Sequence, residues 1–205
     1  WNGAGEYVQS VSDGVLVDTV LPTPGQVWDG DGGLVEDVSY QASLDSLSAR
    51  WSGFEDVPSG ILLYRWAIGT SPGGSDVQEY VDISGGLDVS IVGFVEATGL
   101  SLVSGTLYFI SVMAVDHTGN SAVVSSDGVV ADATPPQFGL VESTPGSGDV
   151  PSDLVAVWSD FVDVESDIRT YAWAVGTTPC ASDAFPFVNV GMALHAEMAG
   201  VNLER

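Results

Sequence analysis

Carboxylates are the side chains of this sequence dense enough to do chemistry. Asp and Glu number 28 against 4 arginines and 2 histidines, lysine is absent, and the formal charge is −24. Many of the acids gather in short Gly- and Pro-containing stretches. Trp28-Asp29-Gly30-Asp31-Gly32-Gly33 offers two carboxylates in one flexible turn. Glu55 and Asp56 sit in a loop between two predicted strands, and Asp160, Asp163, Glu165 and Asp167 sit in a second loop of the same kind. Hard oxygen donors on loops suit calcium, which takes about 6–8 oxygens at roughly 2.3–2.6 Å and tolerates irregular geometry. Asp29, Asp31, Asp56, Asp163 and Glu165 are therefore the expected calcium ligands. Asp29–Gly33 lacks the length and terminal Glu of an EF-hand loop, so an ion would draw ligands from neighbouring loops as well. The competing reading of the same residues is a solvated acidic surface that keeps the chain soluble.

The charge balance excludes several partners. A chain so poor in cations cannot neutralise phosphates, which argues against nucleic acid. Anionic membrane surfaces would repel it, and no apolar run nears the ~20 residues of a membrane span. Self-repulsion is eased where salt or divalent cations screen it, the Debye length falling to roughly 4 Å at sea-like ionic strength. Saline or calcium-rich extracellular surroundings are the expected setting. Cys180 stands alone, which implies a free thiol or a bridge to a cysteine outside this sequence. His117 and His195 lack zinc-ligand spacing, and neither a nucleophile elbow nor a phosphate-cradling glycine motif occurs. Paired carboxylates are too plentiful here to signal glycoside hydrolysis. The expectation is a protein that is not an enzyme.

The elements that position these acids recur. Leu47–Asp76 and Leu154–Asp183 align without a gap: Trp51 with Trp158, Tyr64 with Tyr171, Trp66 with Trp173 and Pro72 with Pro179, each 107 positions apart. Residues 1–22 align with 115–136 at a spacing of 114, Asp13-Gly14 falling on Asp127-Gly128, Asp18 on Asp132 and Pro22 on Pro136. Asp13, Asp18, Asp127 and Asp132 thus flank the expected junctions. Self-similarity at a long fixed period is the signature of a repeat architecture. Residues 23–136 read as one complete repeat, 1–22 as the last strand of a preceding one, and 137–205 as the first strands of a following one. The sequence is accordingly expected to be an excerpt of a longer array, its sheets completed by chain beyond it or by neighbouring copies.

Within the complete repeat the hydrophobic period is two. Leu47, Ala49 and Trp51 alternate with Ser48 and Arg50; Tyr64, Trp66 and Ile68 with Arg65 and Ala67; Tyr108, Ile110, Val112 and Ala114 with Phe109, Ser111 and Met113. Val77–Ile83, Ile91–Ala97 and Ala122–Ala131 supply further candidate strands, and no stretch has sustained helical periodicity. Some seven short strands in about 100 residues suit an antiparallel sandwich. The duplicated Trp and Tyr residues could form a carbohydrate-stacking platform, but their period-two placement favours a core. The Ser/Thr-Pro dipeptides read as turn chemistry, with O-linked sugars or hydroxylated and glycosylated prolines as the alternative.

The pattern of Trp51, Gly60-Ile61 leading to Tyr64, then Leu102-x-x-Gly105-Thr106-x-Tyr108 and Ala114-Val115 resembles the fibronectin type III family, an immunoglobulin-like sandwich. The resemblance covers 23–136 and part of both flanks. It implies an all-β fold of tandem antiparallel β-sandwiches, one complete and two partial, with Leu102–Tyr108 as the tyrosine corner. The WAIGT turn and the TPP junction look more like the repeats of large surface proteins of microbial eukaryotes, flagellar-hair (mastigoneme) proteins among them. Such a scaffold hosts many roles. The expected role is a structural module of an extracellular filament or cell-surface appendage, with other copies of itself or adjacent repeats as partners. The alternative is a cell-surface adhesion or receptor module that grips a protein or glycan through its loops. The least favoured reading is an accessory module beside an enzyme domain.

Overall fold

The computed structural model describes residues 1–30, 37–83, 93–145 and 154–199. The described residues contain strands and turns and no helix, as the period-two patterning requires. The strands are β1 (Gln26–Asp29), β2 (Tyr40–Gln41), β3 (Ser46–Ser52), β4 (Ile61–Gly69), β5 (Gln78–Asp82), β6 (Gly93–Thr98) and β7 (Thr106–Asp116). They continue as β8 (Ser121–Ser125), β9 (Val129–Ala131), β10 (Leu140–Pro145), β11 (Leu154–Ser159), β12 (Tyr171–Val175), β13 (Phe185–Gly191) and β14 (His195–Met198). The chain divides into two compact units. The first comprises Trp1–Ser39, Asp45–Leu100 and Leu107–Val129; the second comprises Tyr40–Leu44, Ser101–Thr106 and Val130–Arg205.

In the first unit β3 lies between β1 and β6, both antiparallel to it, while β4 lies between β5 and β7, with β8 on the far side of β7. Alternation along β3 turns Leu47, Ala49 and Trp51 inward, each no more than 1% exposed. From the facing sheet Tyr64 meets them, its ring 5.7 Å from that of Trp51 and 5.7 Å from that of Phe54. Tyr108, Ile110, Val112 and Ala114 of β7 complete the buried face. Two inward faces closing on one aromatic cluster make this unit sandwich-like.

Two positions on the expected outer face are nevertheless buried. Ala67 and Ser111 lie opposite each other in the β4–β7 ladder and are wholly inaccessible. The cover is the loop after β4, whose Gly73 N–H donates to Ser111 Oγ at 3.1 Å and to Ser125 Oγ at 2.9 Å. Asp76 holds that loop in shape by accepting from Thr70 N and Thr70 Oγ1, both at 2.9 Å. The stretch Ala122–Ala131 is two strands, not one, because Asp127-Gly128 turns the chain between β8 and β9. Of the expected strand Ile91–Ala97, the described part belongs to β6. Residues 1–22 form no strand and are mostly exposed, as befits a strand sequence with no ladder to join.

The second unit contains the β10-β11-β14 sheet, the β12–β13 pair and a parallel pairing of β2 with β9. That parallel pair departs from the all-antiparallel expectation. Trp158 and Ala156 are buried, whereas Tyr171 and Trp173 are only half-buried. They line an open apolar groove of about 880 Å³ with Phe138, Phe161 and Phe187. Local geometry nonetheless repeats that of the first unit. The Trp158–Tyr171 and Phe161–Tyr171 ring distances are both 5.9 Å. Thr177 N and Oγ1 donate to Asp183 at 2.9 and 2.6 Å, as Thr70 does to Asp76. A Cβ on Gly139 would lie 2.1 Å from Ser159 O, and one on Gly25 would lie 2.3 Å from Ser52 O. Both glycines are thus fixed by a close backbone approach.

Candidate acidic sites

The loops between these strands bring the carboxylates together in three places among the described residues, each with ligand-type oxygens within 4.8 Å of one another: Asp18 with Asp56 and Asp116, Asp132 with Asp163 and Glu165, and Asp29 with Asp37 and Asp127. Asp56, Asp163, Glu165 and Asp29 were expected as ligands and all lie in clusters. Asp31 lies outside the described residues.

The first cluster forms where the segment before Pro22 meets the loops of the first unit. Asp116 ends β7 and is fully buried. Its Oδ1 accepts from Thr118 N, Thr118 Oγ1 and Asn120 N at 2.7, 2.9 and 2.9 Å, and its Oδ2 from Asn120 Nδ2 at 2.7 Å. Burial works to raise its carboxyl, but these four bonds outweigh it and hold the group below the ordinary aspartate range. Asp56 Oδ2 accepts from Ser59 Oγ at 2.9 Å and Gly60 N at 2.7 Å. Asp18 is held low chiefly by the Val20 N–H, with help from the Ser59 hydroxyl. Asn120 Nδ2 reaches back to Val20 O at 3.2 Å, so the segment before Pro22 is laced to the turn that Asp116 organises.

The second cluster repeats the first at the aligned positions. Asp132 Oδ1 accepts from Thr134 N and Thr134 Oγ1, both at 2.9 Å. The Ser166 hydroxyl, the counterpart of Ser59, is the foremost influence lowering its carboxyl. Asp163 is buried and its Oδ1 accepts from the Glu165 and Ser166 N–H groups at 3.1 and 3.0 Å. These two clusters are connector latches in which the buried acid, Asp116 or Asp163, already accepts from turn N–H groups and hydroxyls, while Asp18 Oδ2 and Asp56 Oδ1 have no hydrogen-bond partner.

The third cluster differs in kind. Asp29 is not in a flexible turn; it is the last residue of β1, paired opposite Ala49 and wholly buried. Its Oδ2 accepts from Gly128 N at 3.0 Å, and its Oδ1 has no hydrogen-bond partner. Asp37 Oδ1 accepts from the Asp29 backbone N–H at 2.7 Å. Burial pushes the Asp29 carboxyl up to about 7, the Ser126 and Gly128 donors resist, and the neighbouring Asp37 and Asp127 charges push further. Asp37 is raised as well, first by burial and then by Asp127. Gly128 is required here: at φ 103° it brings its N–H to Asp29, and a Cβ would lie 2.9 Å from Leu107 and 3.0 Å from Phe109.

No protein-family model matches this chain, and no curated protein matches it.

Two acids at these sites escaped sequence reading. Asp37 carries no local motif. Asp116 opens the Asp-His-Thr-Gly-Asn turn, an Asx-type signal that marks it as a turn organiser. Asp127 was expected beside the junction with Asp132; the structure places it with Asp29 and Asp37 instead, because the β1 ladder ends beside the Ser126–Gly128 turn. Cys180 is exposed and free, at a left-handed backbone position with φ 64°.

Proposed function

We propose that the chain is a non-enzymatic structural module, built of tandem fibronectin type III-like sandwiches that stack end to end in an extracellular filament or cell-surface appendage. The observation that carries this reading is the repeated latch. The Asp18 and Asp132 connectors each lie against the acidic loop of the module that follows, Asp18 beside Asp56 and Asp132 beside Asp163. The bridging pairs Thr23–Glu55 and Gln137–Val162, each with an N···O distance of 2.7 Å, stand just beyond. A connector fastened over several residues has little freedom left. That suits load-bearing arrays better than loop-mediated capture. The division into 1–22, 23–136 and 137–205 follows from the same alignment, and the strongly acidic surface suits a saline extracellular setting. Partners on this reading are other copies of the chain or adjacent repeats.

Electron microscopy of native material tests it. Fibres with a regular axial repeat are expected; monodisperse particles without end-to-end association would refute it. A second reading, a surface adhesion module, is favoured by the aromatic groove of Trp158, Tyr171 and Trp173. Monomers that bind a glycan array and lose that binding on Trp173→Ala would support it instead.

A further inference from the structure

We propose that Asp29, Asp37 and Asp127 hold a divalent cation of the calcium class where the end of β1 meets the Ser126–Gly128 turn. Three carboxylates with oxygens inside 4.8 Å repel one another, and one of them is 0% exposed with a bare oxygen. Burying a charge without a partner is costly, so a proton or a cation must occupy such a place. The Asp116 cluster also has two oxygens without hydrogen-bond partners, on the partly exposed Asp18 and Asp56, but there, as at Asp163, hydroxyl and amide donors surround the buried acid itself.

The donor set is oxygen alone, which points away from zinc and copper. Calcium fits better than magnesium. Magnesium gives up its waters reluctantly and keeps several of them, which a fully buried ligand such as Asp29 discourages. Asp37 and Asp127 are exposed, so water and carbonyl oxygens can fill the remaining positions on the outer side. The molecule also carries its own control. The ladder position of Asp29, opposite Ala49, is taken by Ser143 opposite Ala156 in the second unit. The site therefore belongs to the first unit and is not a consequence of general acidity. Its effect would be to pin β1 to the turn that follows β8.

The experiment is calcium titration of the 205-residue chain by calorimetry and by thermal melting, with chelator as baseline and magnesium in parallel. Asp29→Ser, Asp127→Asn and the latch variant Asp163→Asn are compared with wild type. Calcium is expected to raise the melting temperature of wild type and of Asp163→Asn. Asp29→Ser and Asp127→Asn are expected to lose most of that rise and about tenfold or more in affinity. In chelator Asp29→Ser is expected to melt no lower than wild type, because a buried carboxylate with one unpartnered oxygen is gone. Terbium emission excited through the adjacent Trp28 should appear with wild type and fall in Asp29→Ser. The proposal is overturned if millimolar calcium leaves wild type unmoved, which makes a proton the occupant. It is equally overturned if both site variants keep the full rise, if Asp163→Asn alone loses it, or if magnesium matches calcium. Should Asp29→Ser not fold, Asp127→Asn at its exposed position carries the test.

Discussion

Three turns in the two aligned segments need a left-handed backbone, and the segments meet that need with different residues. Gly53, Gly60 and Gly73 adopt φ of 77°, 80° and 76°; their counterparts Asp160, Asp167 and Cys180 adopt 61°, 60° and 64°. A side chain in this region costs about 1–2 kcal/mol from contact between Cβ and the carbonyl, less for Asp. Glycine avoids that but loses about 0.5–1 kcal/mol more backbone entropy on folding. The difference favours glycine by about 0.5–1 kcal/mol at position 180. Cys180 is exposed and makes no disulfide, so Cys180→Gly removes little besides the strain. A Cβ on Gly73 would meet no atom within 4 Å, so the mirror change Gly73→Cys tests the same backbone term with opposite sign. Urea unfolding under reducing conditions is the assay. At an m-value of about 2 kcal/mol/M the expected midpoint shifts are roughly +0.3 to +0.5 M for Cys180→Gly, and the reverse for Gly73→Cys. A Cys180→Gly protein that unfolds earlier than wild type, or a neutral Gly73→Cys, would refute the strain argument.

Trp51→Ala should cost about 3–5 kcal/mol, and Trp158→Ala less, since its partners Tyr171 and Trp173 are only half-buried; chemical denaturation of each variant gives the order. Gly25→Ala and Gly139→Ala should each destabilise by about 1–3 kcal/mol or more, because the new Cβ would meet backbone O and N atoms as well as a ring carbon of the packed Phe54 or Phe161. Asp76 and Asp183 are held below the usual aspartate range, Asp76 first by the Thr70 N–H and Asp183 first by the Thr177 hydroxyl. A depressed folded value means their contribution is present above the unfolded value of 3.8 and is lost as pH falls through the folded one. Amide protection at Thr70 and Thr177 should therefore weaken on acidification, and Asp76→Asn should abolish that dependence at Thr70 alone, as hydrogen exchange would show.

Much of the fold is written locally. Alternation in Leu47–Trp51 and Tyr108–Ala114 specifies which side chains go inward, because a strand's faces are set by a period of two whatever it pairs with. The spacing of Trp51, Phe54 and Tyr64, repeated at Trp158, Phe161 and Tyr171, likewise fixes the aromatic clusters in advance. The acidic clusters are another matter. Asp29, Asp56, Asp163 and Glu165 are recognisable as loop-associated acids, yet nothing in the order of residues says that Asp29 ends a strand fully buried. Its company depends on a contact across 99 positions, between its carboxylate and the Gly128 N–H. Ladder register and the path of the Ser126–Gly128 turn decide that contact, and with it whether a carboxylate is hydrated, latched by hydroxyls or left bare for an ion. Hydrophobic pattern is a property of neighbours along the chain, whereas the electrostatic fate of a charge depends on every group that folding brings within a few ångströms.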